Sequence, residues 1–258
     1  MAADFSAARS SFGDPSRPAI VFLHGIRLGR QIWDQHVLAL AQRYRVVTLD
    51  LPGHGALTGV PFTEENLYAQ LDETIAMLSG PPLLVGYSLG GFVAMRYGAS
   101  FPERTRALLL ADCTLDFDQW KMWPFDASFG FMQMLPGPML DAFLHASLYM
   151  TLPKHYAAIV ERIPFDRDVL SRTNAIARSI ARPSDGIATY RKPVLIVNGE
   201  FDLAFRADER RYLHRLPQAR LRIMRGLDHA APMRRAGEFS TIVDEFATQV
   251  FEREHASP

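Results

Sequence analysis

"LLVGYSLGGFVAMRYG", residues 83–98, begins as an apolar run, turns through glycines that flank one serine, and continues with helix-like spacing. Gly86, Ser88 and Gly90 form the pattern G-x-S-x-G, which belongs between a strand and a helix. So sharp a turn strains the serine backbone and leaves no room for side chains at the flanking positions. We therefore predict that Ser88 presents its hydroxyl at the N-terminus of a helix, where the helix dipole favours negative charge.

Outward from this stretch, short apolar runs alternate with helical patterns along most of the chain. Strands are predicted over residues 19–25, 45–55, 82–88, 106–113, 193–202 and 219–226. Helices are predicted over residues 32–44, 64–78, 89–101, 206–216 and 236–253. The alternation indicates an α/β fold with a mostly parallel, doubly wound sheet, whose continuously apolar strands are covered by helices on both faces. Residues 1–17 and 252–258 show no element pattern and are expected to be loose ends.

Residues 114–192 interrupt this alternation with several prolines. Short helices are predicted over 139–150, 154–163 and 168–180. We interpret the segment as an inserted helical cap over the carboxyl end of the sheet, with residues 1–113 and 193–258 forming the core domain. The cap is rich in methionine and aromatic residues, most of which would join the cap to the sheet. Trp120 and Trp123 are predicted to line an apolar substrate pocket, together with Tyr87 beside the serine.

Composition narrows the classes of partner. The chain has 28 basic and 28 acidic residues, so we expect neither nucleic acid nor a membrane surface as a partner. Cys113 is the single cysteine, which excludes an internal disulfide, and it is expected to be buried. The first residues lack a secretory pattern, so a cytoplasmic location is expected. The expected partner is a small-molecule substrate, and the chain is expected to be a monomer or a homodimer.

A nucleophilic serine needs a base and an oriented carboxylate, and both should follow strands of the sheet. Asp202 is predicted at the end of one strand and His229 follows the last one, which gives the order Ser, Asp, His along the chain. Asp112 also follows a strand and is the alternative acid. His24 and His54 lie in Gly-rich loops and are predicted to have structural roles.

An oxyanion formed on attack by Ser88 needs hydrogen-bond donors. The backbone N–H of Leu89, directly after the serine, is one predicted donor, and the N–H of Ile26 in the loop after the first strand is the other. Gly25 would allow that loop to approach closely. No metal and no cofactor are required by this arrangement.

Five motifs together resemble those of the α/β-hydrolase fold superfamily. These are "HGIRLGRQIW" (24–33), "DLPGHG" (50–55), "GYSLGG" (86–91), "NGEFD" (198–202) and "DHAAP" (228–232). The resemblance covers nearly the whole chain and implies a Ser-His-Asp hydrolase with a helical cap, similar to esterases and lactonases. It implies a serine hydrolase that cleaves an ester, lactone or thioester of a small, largely apolar substrate through an acyl-enzyme.

Two alternatives remain open at this level. One is hydrolysis of a C–C bond in a diketone-like acid, which needs a cation for the substrate carboxylate, and Arg27 and Arg30 are the candidates. The other is a non-enzymatic ligand receptor on the same fold, which the fold by itself does not exclude.

Overall fold

The structure is a computed structural model that describes residues 4–166, 169, 172 and 183–252. In one helix the side chains of residues 119, 120, 122, 124–126, 129 and 133 are not described. The strands are β1 Arg9–Phe12, β2 Ala19–Leu23, β3 Arg45–Leu49, β4 Leu83–Tyr87, β5 Ala107–Ala111, β6 Val194–Gly199 and β7 Ala219–Met224. They form a seven-stranded sheet in the order β1-β3-β2-β4-β5-β6-β7.

The sheet is parallel except at one edge. β2 to β7 pair in parallel, whereas β1 pairs antiparallel with β3, with Arg9 opposite Leu49. The expectation that residues 1–17 are loose was therefore wrong for 9–12. These four residues alternate too weakly in hydropathy to indicate a strand, and they are recruited by the exposed edge of β3. The other expected loose end, beyond Glu252, lies outside the described residues.

Helices cover both faces of this sheet. The α-helices of the core are α1 Asp34–Leu40, α2 Glu64–Ala76 and α3 Leu89–Ser100, followed after the inserted segment by α8 Glu209–Arg215, α9 Ala231–Arg234 and α10 Ala236–Glu252. Alternate residues of the central strands enter two hydrophobic clusters, since successive strand side chains point to opposite faces. One cluster contains α1 and α10, and the other contains α2, α3 and α8. This arrangement confirms the predicted doubly wound α/β class.

The described part of the segment between β5 and β6 is mostly helical. Its helices are α4 Gln119–Met134, α5 Gly137–Thr151, α6 Lys154–Val160 and α7 Pro183–Gly186. Leu148 of α5, Leu152 directly after it and Tyr156 of α6 are buried in the same cluster as α1, so this part of the segment packs on the core. The helix predicted over 168–180 lies almost entirely outside the described residues, and the domain boundaries stay a prediction.

The strand order places the site. After β2 the chain passes to α1 on one face, and after β4 it passes to α3 on the opposite face. Because β2 and β4 are neighbours, the loops at their carboxyl ends diverge and leave a crevice between them. Within the described residues, no helix has the length and apolarity that crossing a membrane requires.

Candidate active site

Ser88 lies in a strained turn between β4 and α3. Its backbone has φ 51° and ψ −117°, a conformation that residues with a side chain rarely adopt. A Cβ atom at Gly86 would lie 2.4 Å from the Gly90 carbonyl oxygen, and one at Gly90 would lie 2.3 Å from the Leu23 carbonyl oxygen. Glycine is therefore needed at both positions, because the start of α3 packs directly on the backbones of β4 and β2.

A chain of hydrogen bonds joins Ser88 to two residues far along the sequence. His229 Nε2 is 3.0 Å from Ser88 Oγ, and His229 Nδ1 is 2.6 Å from Asp202 Oδ2. A carboxylate beside Nδ1 keeps the proton on that nitrogen, so Nε2 can accept the serine proton. Asp202 lies in the turn after β6 rather than in the strand, which ends at Gly199. Asp202 and Ser88 are buried, and the His229 side chain is 35% exposed.

Two aromatic residues hold the loop that carries His229. The Tyr87 hydroxyl donates a hydrogen bond to the His229 backbone carbonyl at 2.8 Å. The Phe205 ring stacks on the imidazole with a centroid distance of 4.2 Å and an interplanar angle of 23°. Burial raises the pKa of Tyr87 well above its ordinary value, so its hydroxyl stays a donor.

Asp112, the alternative acid, lies beside the hydrogen bonds that join Ser88, His229 and Asp202, but it makes no hydrogen bond to His229. Its Oδ1 accepts a hydrogen bond from the Gly199 N–H at 2.7 Å, and its Oδ2 has no hydrogen-bond partner in the part of the chain that the structure describes. Burial, reinforced by the neighbouring Asp202 charge, raises the pKa of Asp112 well above the usual range. The structure thus brings Asp202, and not Asp112, into hydrogen-bond contact with His229.

Among the described residues, the two carboxylates and the histidine of this site also form a cluster with the spacing of metal ligands. One donor atom each from Asp112, Asp202 and His229 lie within 4.8 Å of one another. A cation bound there would compete with the bond between His229 and Asp202. The arrangement is therefore suited to proton transfer from Ser88 rather than to holding a metal.

The two predicted oxyanion donors face the serine turn from different elements. Leu89 is the first residue of α3, so its N–H has no acceptor within the helix. Neither this N–H nor that of Ile26 has an acceptor among the described residues. Both amides are therefore available to a ligand, and their role as an oxyanion hole stays a proposal.

Two buried histidines hold residues 24–29, which we call the oxyanion loop. The Leu51 N–H donates to His24 Nε2 at 3.0 Å, so Nδ1 carries the proton and donates to the Gly25 carbonyl at 2.7 Å. Likewise, the Arg27 N–H donates to His54 Nε2 at 3.1 Å. Burial lowers the pKa of His24 to about 4 and that of His54 to about 3, so both are neutral at pH 7. The structural roles predicted for them are confirmed.

A pocket of about 340 Å³ opens beside Ser88 and His229. It is lined by Gly25, Ile26, Arg27, Leu28, Tyr87, Ser88, Ser147, Leu148, Met150, Thr151, Leu152, Asp228, His229 and Ala230. Helix α5 thus closes one side of it, a contribution that the sequence reasoning did not assign to particular residues. The spacing of Leu144, Leu148 and Leu152 by four was the available signal, because it indicates one buried helix face.

The predicted aromatic substrate contacts have different outcomes. Tyr87 lines the pocket. Trp123 does not line it, and its side chain is 70% exposed on α4. The physical reason is helical phase, since the buried Met132 is nine residues further along, about two and a half turns, and so points the opposite way. The prediction for Trp123 is therefore corrected, while the side chain of Trp120 lies outside the described part of the structure.

Arg27 and Arg30, the two candidate cations for a substrate carboxylate, have different positions relative to the pocket. The Arg30 guanidinium pairs with the buried carboxylate of Asp50, and Arg30 is absent from the pocket lining. Arg27 lines the pocket, and its backbone, with φ 61°, is held by the bond to His54. Of the two, Arg27 is the one whose position allows contact with a ligand.

This fold, with a strained serine between a strand and a helix beside a histidine and an aspartate, defines a class of α/β protein. A sequence model described as the alpha/beta hydrolase family matches residues 20–242, which is most of the chain. The chain belongs to the alpha/beta hydrolase family.

Several sequence relatives share one name. The chain is 37% identical over 123 residues to a pimeloyl-[acyl-carrier protein] methyl ester esterase of Aeromonas hydrophila, which covers 46% of this chain and 48% of the relative. It is 27% identical over 253 residues to the protein of that name from Neisseria meningitidis serogroup A, covering 90% and 78%. The matched region thus spans about half the length of the Aeromonas relative.

Solved structures resemble the chain over nearly its whole length. A carboxylesterase structure from Nitrososphaera gargenis has a TM-score of 0.78 at 20% identity and covers 95% of both chains. The enol-lactonase from Burkholderia xenovorans has a TM-score of 0.77 at 19% identity and covers 95% of this chain and 100% of its own. At such identities the likeness concerns the fold.

Proposed function

We propose that the protein is a serine hydrolase that cleaves a carboxylic ester-type bond of a small substrate through an acyl-enzyme. The observation that carries this proposal is the continuous hydrogen-bond chain from Ser88 Oγ through His229 to Asp202. The names of the sequence relatives support a carboxylic ester as the bond that is cleaved.

Each step follows from the chemistry of these groups. His229 Nε2 takes the proton of Ser88 while Oγ bonds to the ester carbonyl carbon. The backbone N–H groups of Ile26 and Leu89 stabilise the negative oxygen, and each such donor is worth roughly a hundredfold to a thousandfold in rate. His229 then gives its proton to the departing alcohol as the C–O bond breaks. Water, activated by the same histidine, releases the acid and restores Ser88.

Asp202 has a positioning role in this mechanism. Its carboxylate accepts the Nδ1 proton of His229 and stabilises the imidazolium that forms when Ser88 is deprotonated. It lies on a different strand end from His229, so the two loops after β6 and β7 must both be in place for the base to work.

The test is turnover of p-nitrophenyl butyrate by wild type and by Ser88→Ala. We expect the variant to lose at least about 10⁵-fold in kcat, because no other group forms the acyl-enzyme. Ser100→Ala is the matched control, since Ser100 is exposed at the far end of the same helix. A fluorophosphonate probe should label wild type and Ser100→Ala but not Ser88→Ala. Equal turnover by wild type and Ser88→Ala would refute the proposal, and an unlabelled wild type would favour a non-enzymatic receptor.

A further inference from the structure

Arg27 is a largely buried cation whose hydrogen bonds all go to neutral groups. Its Nη1 donates to Ser147 Oγ at 3.0 Å and its Nη2 donates to the Leu144 carbonyl at 2.8 Å, both in α5. The guanidinium carbon lies 5.5 Å from the centroid of the Phe165 ring. Its Nε is buried and has no hydrogen-bond partner among the described residues. Burial lowers the pKa of Arg27 to about 10, so the side chain remains charged at neutral pH.

Several other partly buried arginines of the described chain have carboxylate partners. Arg30 pairs with Asp50, Arg206 with Glu209 at 2.9 Å, and Arg211 with Asp116 at 2.7 Å. For Arg27, no carboxylate among the described residues lies within ion-pair distance. Removing a charge from water is costly unless an opposite charge compensates it. Within the described part of the chain, the guanidinium of Arg27 is therefore available to a counter-charge that a ligand brings.

The pocket itself does not supply that counter-charge. Asp228 is the one carboxylate in the pocket lining, and it is paired with Arg234 by hydrogen bonds of 2.7 and 2.8 Å. His229 also faces the pocket, but it adds no negative charge. The described wall around Ser88 thus contains one uncompensated charge, which is positive.

Arg27 lies next to a group that is proposed to bind the oxygen of the reacting carbonyl. It directly follows Ile26, whose N–H is a proposed oxyanion donor, and it lines the same pocket as Ser88. Because Ser147 also lines this pocket and accepts a bond from Arg27 Nη1, the guanidinium lies at the boundary between oxyanion loop and cap. A ligand group that reaches it is separated from the ester carbonyl by a short chain.

We propose that Arg27 binds a carboxylate on the acyl part of the substrate, so that the enzyme is selective for half-esters of short dicarboxylic acids. This inference rests on the proposed ester hydrolysis and names its substrate class. Each Nη atom carries a second N–H beside the one that it donates to α5, and these charged donors in the plane of the guanidinium fork suit a carboxylate. The contact is made before and during the reaction alike, so it should act mainly on KM.

The test compares mono-p-nitrophenyl glutarate with p-nitrophenyl valerate, whose acyl chains have equal length and differ in the terminal carboxylate. We expect wild type to prefer the glutarate by about ten- to a hundredfold in kcat/KM, the range of a charge-assisted hydrogen bond. Arg27→Met should lose this preference through a higher KM for the glutarate, so that its kcat/KM falls more for the glutarate than for the valerate. Arg27→Lys should keep part of the preference, because it retains the charge but not the fork.

Arg220→Met is the matched control, because Arg220 is exposed near the amino end of β7 and its loss removes one charge far from the pocket. This control should keep the full preference. Equal use of both esters by wild type, with valerate hydrolysis still dependent on Ser88, would overturn this inference and leave the proposed function intact. An equal loss on both esters in Arg27→Met and Arg27→Lys would also overturn it, since Arg27 would then only join the loop to α5. If wild type neither hydrolyses the esters nor is labelled by a fluorophosphonate, both proposals would be overturned.

Discussion

The choice between Asp202 and Asp112 as the acid can be tested with two substitutions of the same kind. Both carboxylates follow neighbouring strands, and each has an oxygen within 4.8 Å of a His229 nitrogen. Asp202 Oδ2 accepts a hydrogen bond from the Nδ1–H of His229 at 2.6 Å, whereas Asp112 Oδ1 accepts one from the Gly199 N–H at 2.7 Å. Asp202→Asn and Asp112→Asn change the same atoms in both places, so their difference reports which carboxylate serves the base.

The expected magnitudes follow from these contacts. The amide introduced by Asp202→Asn can donate to Nδ1, which moves the imidazole proton to Nε2 and prevents that atom from accepting the Ser88 proton. A histidine held in this wrong tautomer lowers kcat about 10⁴-fold, which is about 5 kcal/mol of transition-state stabilisation. Burial raises the pKa of Asp112 and so disfavours its charged form, and Asp112→Asn preserves the acceptor for the Gly199 N–H. We expect it to cost less than about tenfold, or about 1.4 kcal/mol.

The assay is kcat for p-nitrophenyl butyrate at saturating substrate, with thermal unfolding of each variant measured in parallel. Both variants should unfold cooperatively, so that a loss of kcat reports chemistry rather than misfolding. A kcat loss in Asp112→Asn equal to or greater than that in Asp202→Asn would refute the assignment. So would an Asp202→Asn enzyme that stays within about tenfold of wild type, because the tautomer argument would then fail.

Three further predictions concern the elements that hold the site. Gly90→Ala should prevent stable folding, because its Cβ would lie 2.3 Å from the Leu23 carbonyl oxygen. At Gly130 an added Cβ would have no atom of the described structure within 4 Å, so Gly130→Ala should stabilise α4 by up to about 1 kcal/mol in urea unfolding. Tyr87→Phe should lower kcat and cost about 1 kcal/mol of stability, since it leaves the His229 carbonyl without its 2.8 Å bond; an unchanged kcat would show that this bond does not position the base. Burial lowers the pKa of His36 to about 3, and it likewise lowers the pKa values of His24 and His54. These three side chains therefore stay neutral in the folded protein, whereas the same histidines in the unfolded chain take up protons below about pH 6.5. The free energy of unfolding should therefore fall as the pH drops from about 6.5 toward 4, by up to about 1.4 kcal/mol per pH unit and per histidine, and His36→Gln should reduce that slope by one proton; a slope unchanged in this variant would contradict the reasoning.

Much of the fold was predictable because its signals are local. The runs that form β2, β4, β5 and the first four residues of β6 are apolar, as strands covered on both faces must be. The edge strand β1 was missed because this signal is absent there, since it has four residues and none of them is buried. Helix ends differ from the predictions by a few residues, as at α2, which ends at Ala76 rather than at 78.

The sequence by itself determined the fold class and the serine turn, because strand hydropathy and the G-x-S-x-G pattern between a strand and a helix are local signals. The tertiary structure decided which groups meet: that Asp202 and not Asp112 contacts His229, and that Trp123 points to solvent. It also decided that Arg30 is paired with Asp50 while Arg27 faces the pocket without a carboxylate. Such contacts join residues on different elements, 27 positions apart for Asp202 and His229 and 20 for Arg30 and Asp50, or depend on the rotation of a helix about its axis. No local pattern encodes them.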